Sequence, residues 1–228
     1  MTFTIEEKKR ALGTSVLFNS LAPPLIDKLA AITREKRFRR GETIFVEGSP
    51  SSGFYMVVQG QVKLFKMALD GREQILYVLD PGEPFGMTPV FHGQTFPASA
   101  ASMTDSTAFF FPKKDFVALV TAHPELALAV MAALARRLRR FAAKIESLSL
   151  KEVPVRLATH LLYLQGKQGG TNQILLDIPK KQLANLLGTS AETLSRIFAE
   201  MSAAGLIQVQ GKTITLFDCE ALRKRSRG

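Results

Sequence analysis

Glu192, Ser195 and Arg196 lie in the stretch "GTSAETLSRIFAEMSAAGLI" three and four positions apart, a spacing that gathers side chains on one face of a helix. Leu194, Ile197, Phe198 and Met201 supply the apolar side of the same helix. The three polar residues therefore point outward near its start. Arginine can donate two parallel hydrogen bonds to guanine O6 and N7, and glutamate can accept from the cytosine amino group. A serine three residues on can meet a neighbouring base or a thymine methyl. Glu192 and Arg196 are also four apart, so a surface ion pair that braces the helix accounts for them equally well in isolation.

The residues around them favour base reading. "IPKKQLANLLGTSAETLSRIFAEM" has the spacing of a helix–turn–helix. Ala184 is small where two helices would cross, and Gly188 allows the left-handed backbone of a tight turn. Leu183, Leu187, Leu194 and Ile197 form the apolar interior. Ser190 is a natural N-cap, with Thr193 at the third position. "GLIQVQGKTITLFD" follows as two strands turning at Gln210 and Gly211, a wing with Lys212 at its tip. Lys180 and Lys181 at the start of the first helix, Ser190, Thr193 and Lys212 are the expected phosphate contacts. The tail "RKRSRG" reads as a basic, mobile extension that adds non-specific attraction or solubility.

Upstream, "PELALAVMAALARRLRRFAAKIESLSLKE" runs without glycine for roughly 28 residues, about 40 Å as a helix. Ala127, Met131, Leu134, Leu138, Phe141, Ile145 and Leu148 recur at alternating steps of four and three. That is an a/d seam, which predicts either a paired helix in a dimer or a helix lying on its own β domain. Arg136, Arg137, Arg139, Arg140 and Lys144 read as a solvated face. Pro154 ends or kinks this helix, and "VPVRLATHLLYL" resumes as another.

Residues 18 to 111 read as short strands broken by glycine and proline: "TIFV", "FYMVV", "VKLF" and "ILYVL" are β-branched and aromatic. This predicts an antiparallel sandwich or barrel. "LDG" before "REQILYVL" predicts a hairpin turn, with positive φ open to Asp70 and Gly71. "KKDFVALVTAH" reads as a short helix after it.

The totals narrow the function. The chain has 228 residues, 46% of them hydrophobic, and a formal net charge of +10. Its length allows one large or two small domains. The charge favours an anionic partner. No apolar run spans a bilayer and "MTFTIEEKKRALG" lacks a signal-peptide core, so a cytoplasmic protein is expected. One cysteine, Cys219, excludes an intramolecular disulfide and any multi-thiolate metal site. His92, His123 and His160 are scattered and belong to no metal motif. No nucleophile–base pair, phosphate loop or metal triad points to an enzyme.

In this order of parts the chain resembles the Crp/Fnr family of bacterial transcription regulators. "GETIFVEG…FYMVVQGQVKL" and "GTSAETLSRIFAEM…GLIQVQGKTITL" carry the resemblance over nearly the whole length. It implies an α+β chain with a cyclic-nucleotide-binding-type β-roll (1–111), a dimerisation helix (112–153) and a winged helix–turn–helix (154–228). It implies as partners double-stranded DNA, a second copy of the chain, RNA polymerase and a small effector. Ser195 matches the Fnr-like arrangement, which implies a TTGA-like half-site core. Ala191 replaces an arginine that cyclic-AMP regulators use for a further guanine.

The resemblance also exposes departures. Cyclic-AMP-binding members keep a glutamate after the "FG" turn and an Arg-Ser pair beyond it; here these positions are Met87 and Phe96-Pro97. Phe141 and Ala142 stand where the adenine contacts would be. A buried phosphate left unpaired costs several kcal/mol, so cyclic AMP is not expected. Phe85, Gly86, Met87, Phe91, Phe96 and Phe141, with Met103, are expected to wall an apolar effector pocket. "ELALAV" and "IESLSLK" resemble the nitric-oxide-responding (Dnr-like, HcpR-like) branch, which makes haem a candidate cofactor with His92 or a methionine as axial ligand. The alternative is that these residues are core only. The rival function is a cyclic-nucleotide-type or apolar-ligand module acting on a protein partner, which leaves the winged segment without a purpose.

Overall fold

A computed structural model describes residues 3–226 of the chain. The fold is α+β. In chain order its elements are α1 (Ile5–Gly13), α2 (Pro23–Ile32), β1 (Arg34–Phe38), β2 (Thr43–Phe45), β3 (Gly53–Gln59), β4 (Val62–Met67), β5 (Glu73–Leu79), β6 (Pro84–Phe85), α3 (Thr88–Phe91), β7 (Ser99–Ser102), β8 (Ser106–Pro112), α4 (Lys113–Ala122), α5 (Pro124–Leu150), α6 (Val153–Lys167), β9 (Gln173–Leu175), α7 (Lys180–Leu187), α8 (Ala191–Ala203), β10 (Ile207–Gln210), β11 (Thr213–Leu216) and α9 (Cys219–Ser226). They divide into two compact units. The first is Met1–Leu69 with Leu76–Arg139, and the second is Asp70–Ile75 with Arg140–Gly228.

Two four-stranded sheets are ordered β1-β8-β3-β6 and β2-β7-β4-β5; both lie in the first unit except for residues 73–75 of β5, which belong to the second. "STAFFFP" of β8 explains their layering, because successive side chains on a strand face opposite ways. Phe109 and Phe111 enter a cluster with Leu12, Leu29, Phe116 and Val130 from the helices and Phe18 from the turn between α1 and α2. Phe110 between them meets Tyr55 instead, ring centroids 5.0 Å apart. A strand buried on both faces loses the polar alternation of a half-exposed one, as β8 does.

Two helices stand where strand or no structure was expected. Thr4 and Glu7 form a reciprocal capping box that starts α1. In α2, tandem prolines fill the first turn, and Leu25, Ile26, Leu29 and Ala30 are buried at helical spacing. In the β4–β5 turn, Gly71 alone carries positive φ (80°), since no non-glycine among the described residues does. Asp70 accepts from the Arg72 N–H at 3.1 Å instead.

In the second unit β10, β11 and β9 form an antiparallel three-stranded sheet beside α6, α7 and α8. α5 ends at Leu150, and Pro154 lies in the first turn of α6, where its missing N–H costs nothing. The basic tail is not a mobile extension as far as Ser226: Arg223, Lys224 and Arg225 form the last turn of α9, where cations favour the helix dipole. Arg227 and Gly228 lie outside the described residues. No single helix among those residues is long and apolar enough to cross a membrane.

Candidate nucleic-acid interface

The reading element is α8, and its start is fixed locally. Ser190 takes an extended backbone (φ −82°, ψ 158°), and its hydroxyl accepts the Thr193 N–H. α7 stops at Gly188, whose left-handed φ of 65° disfavours any side chain. Leu183, Ala184 and Leu187 of α7 are buried, as are Leu194, Ile197, Phe198 and Met201 of α8. This leaves Glu192, Ser195 and Arg196 exposed together on the outer face of α8.

Their pairing differs from the sequence expectation. Arg196 does not brace Glu192. Its Nε lies 3.8 Å from Glu200 Oε1, one turn towards the helix C-terminus. Glu192 is held at the helix start, where its own backbone N–H and the Ser190 hydroxyl keep its carboxyl below the usual range. A charged acceptor and a forked donor thus stand separately on one exposed face. Glu200 was missed although its i, i+4 spacing from Arg196 was visible.

Lys181 and Lys212 are exposed, as is Lys180, whose ammonium rests 5.4 Å over the Phe198 ring. Ser190 Oγ also lies within hydrogen-bond distance of Thr193 Oγ1, 3.1 Å away, so both hydroxyls are engaged at the helix cap. Gly211 (φ 62°) turns β10 into β11 and presents Lys212 beside it.

The seam helix offers one face to the core and one to solvent. Leu126 and Val130 are buried in the first unit's core. Along the seam Met131, Leu134, Leu138 and Ile145 are 55%, 39%, 69% and 64% exposed, while Phe141 and Leu148 are half-buried. The basic run is not simply a solvated face. Arg136 donates to the Val16 carbonyl at 2.7 Å, and Arg137 donates to the Pro84 carbonyl at 2.9 Å. Lys144 donates to the Leu186 carbonyl. Periodicity gave no signal for these carbonyl partners.

The expected effector residues do not all meet. Phe96 stacks face to face on Phe45, centroids 3.7 Å apart, and Phe45 stacks on Phe85 at 6.0 Å. Tyr55 joins Phe85 at 5.3 Å. Gly86 stands against this pile, where a Cβ would come 2.9 Å from Phe96. Met87 instead packs into the helix-side core, and Phe91 is 45% exposed. Phe141 belongs to the second unit. Met103 is buried. His92 is exposed at the end of α3.

Residues 35–123 match the model of a cyclic nucleotide-binding domain, and residues 155–225 match a Crp-like helix-turn-helix domain. The chain is 30% identical over 220 residues to the CRP-like cAMP-activated global transcriptional regulator of Mycobacterium tuberculosis, covering 95% of this chain and 98% of that one. It is 32% identical to the cyclic AMP receptor protein of Thermus thermophilus, over 94% of this chain and 98% of that one. Among solved structures it resembles FixK2 from Bradyrhizobium japonicum with a TM-score of 0.75 and 25% identity, covering 85% of this chain and 96% of that one.

Proposed function

Because the chain belongs to the Crp/Fnr family of transcription regulators, we propose that it works as a homodimer that reads a palindrome with TTGA-like half-sites. It is a Crp-like regulator, with an effector-type domain and a DNA-binding helix–turn–helix, and not an enzyme. One observation carries the reading: Glu192, Ser195 and Arg196 are exposed on α8 directly opposite the buried Leu194, Ile197, Phe198 and Met201. Arg196 serves guanine and Glu192 serves the cytosine amino group. Lys180, Lys181 and Lys212 serve the phosphates, since the Ser190 and Thr193 hydroxyls are engaged at the helix cap.

The homodimer rests on the exposed apolar row of Met131, Leu134, Leu138 and Ile145 along 27 residues of α5. A second copy of the same row is its complement, as in a two-stranded coiled coil. A two-fold pair would place two α8 helices about 34 Å apart on successive major-groove turns. The cytoplasm and RNA polymerase are the corresponding setting and partner.

The effector is proposed to be other than cyclic AMP, although the two relatives just described are named for it. The support is chemical. Phe96 occupies the position of a phosphate-binding arginine and stacks on Phe45, offering no cation to a phosphate. Haem is supported less well by the same residues, because Met87 is core and His92 stands at an exposed helix end. A small apolar effector that parts the aromatic stack is the reading the packing favours. The rival, a ligand module acting on a protein partner, gives the exposed face of α8 no role.

Selection from a random duplex pool tests the proposal. Enrichment of an inverted repeat with TTGA-like halves supports it. Recovery of unrelated sequences, or of single half-sites only, contradicts it.

A further inference from the structure

The end of α7 is satisfied by side chains from outside the helix–turn–helix. The last carbonyls of any helix lack intrahelical donors. In α7 the Ala184 carbonyl accepts from the Gly188 and Thr189 N–H groups, which is the local cap. The next two carbonyls have distant partners within the same unit. The Asn185 carbonyl accepts from Gln74 Nε2 at 2.7 Å, and Asn185 Nδ2 donates to Glu73 Oε1 at 3.3 Å. The Leu186 carbonyl accepts from Lys144 Nζ on α5. A cation there also favours the negative end of the helix dipole.

Packing repeats this attachment one turn further along α5. A Cβ at Gly188 would come 2.8 Å from Leu148 Cδ2, so the turn between α7 and α8 sits directly on Leu148. Arg156, buried on α6, donates to the Leu148 and Lys151 carbonyls and closes the end of α5 from the other side. Lys144 and Leu148 are spaced i, i+4, so both lie on one face of α5. The seam residues Ile145 and Leu148 are in these same turns.

We infer that Lys144, with Leu148, is a positioning residue for DNA recognition: it fixes the reading head to the last turns of the seam helix and so sets the half-site spacing the dimer accepts. This rests on the proposed dimeric reading. The logic is geometric. If α5 pairs with its copy, anything rigidly joined to its end moves with the two-fold axis. A head held at two successive turns has one separation from its partner. A head released from them tolerates several. Each added base pair moves a half-site by about 3.4 Å along the duplex, so spacing is a sensitive reporter.

The experiment uses the full chain and duplexes carrying two half-sites at the selected spacing, or with one base pair added or removed. Binding is followed by fluorescence anisotropy for the parent, Lys144→Met and Gln74→Leu, which removes the donor to Asn185. The parent is expected to prefer one spacing. The variants are expected to lose at least five-fold of that preference while keeping parental affinity for a duplex with a single half-site. A fold defect would instead weaken all duplexes together; if thermal melting shows one variant unfolded, the other carries the test. Unchanged spacing preference in the folded variants overturns the inference. A parent that binds a single half-site as tightly as the paired sites overturns the dimeric reading itself, a distinguishable result.

Discussion

Arg196 on α8 leans towards Glu200, Nε to Oε1 3.8 Å, and leaves Glu192 at the helix start to its own backbone N–H and the Ser190 hydroxyl. Both groups are exposed, so the Arg196–Glu200 pair contributes little to stability. Its effect is to incline the guanidinium while its terminal nitrogens stay open. Arg196→Lys keeps the charge and loses the planar fork. We expect operator affinity to fall about ten-fold or more, from roughly 1–3 kcal/mol of lost guanine recognition. Titration of labelled operator, with a duplex altered at the guanine as control, checks this. The variant should no longer distinguish the two duplexes.

Ser190 caps α8 by accepting the Thr193 N–H at 3.1 Å. Ser190→Ala should cost about 1 kcal/mol in unfolding free energy, and Ser190→Gly only a few tenths. Urea unfolding followed by circular dichroism gives both values. Equal losses would show that the hydroxyl is not the stabilising group.

The seam makes an independent prediction. Leu138 and Ile145 are 69% and 64% exposed, so a charge at either is tolerated by the lone chain. In a paired helix the same charge would face its own copy across an apolar contact. Leu138→Glu should therefore shift sedimentation from dimer to monomer with little change in circular dichroism. A variant that sediments as the parent does would place the dimer contact elsewhere.

His160 on α6 makes stability depend on pH. Its Nε2 is buried with no hydrogen-bond partner among the described residues, and burial pulls the imidazole from an ordinary 6.5 down to about 4. The nearby Lys144 and Lys167 charges pull the same way, while Asp177 opposes them. Between these values the unfolded chain binds a proton that the folded chain refuses. Stability from this residue is thus full above pH 6.5 and is lost as pH falls towards 4. The ceiling is about 3 kcal/mol. Carboxylates add their own slope, so His160→Gln is the reference. The parent should lose more stability than the variant across this window, and parallel curves would show that His160 does not titrate with unfolding.

The helix–turn–helix was legible because each part is local. Gly188, Ser190 and the buried row from Leu183 to Met201 are fixed by short-range rules, and the structure places them as those rules require. The long helix and the wing followed from periodicity and one glycine turn. The first unit's helices were harder: α2 begins with two prolines inside a stretch that reads as short strands, and only its packing against the core makes the helix evident. The effector residues were the least legible. Phe85 and Met87 lie two apart across the left-handed Gly86, yet one joins the aromatic stack and the other the helix-side core. Carbonyl partners such as Pro84 for Arg137 or Leu186 for Lys144 leave no mark in a sequence, because every residue has a carbonyl.

The central claim is that the outer face of α8 meets base pairs. Equilibrium binding of the parent and Arg196→Ala to one palindromic TTGA-type duplex, and to the same duplex scrambled, tests it most directly. The account predicts tight, salt-dependent parental binding to the palindrome, and a variant whose affinity for it drops to the level of the scrambled duplex. Parental affinity in the variant, with the palindrome still preferred, would contradict it.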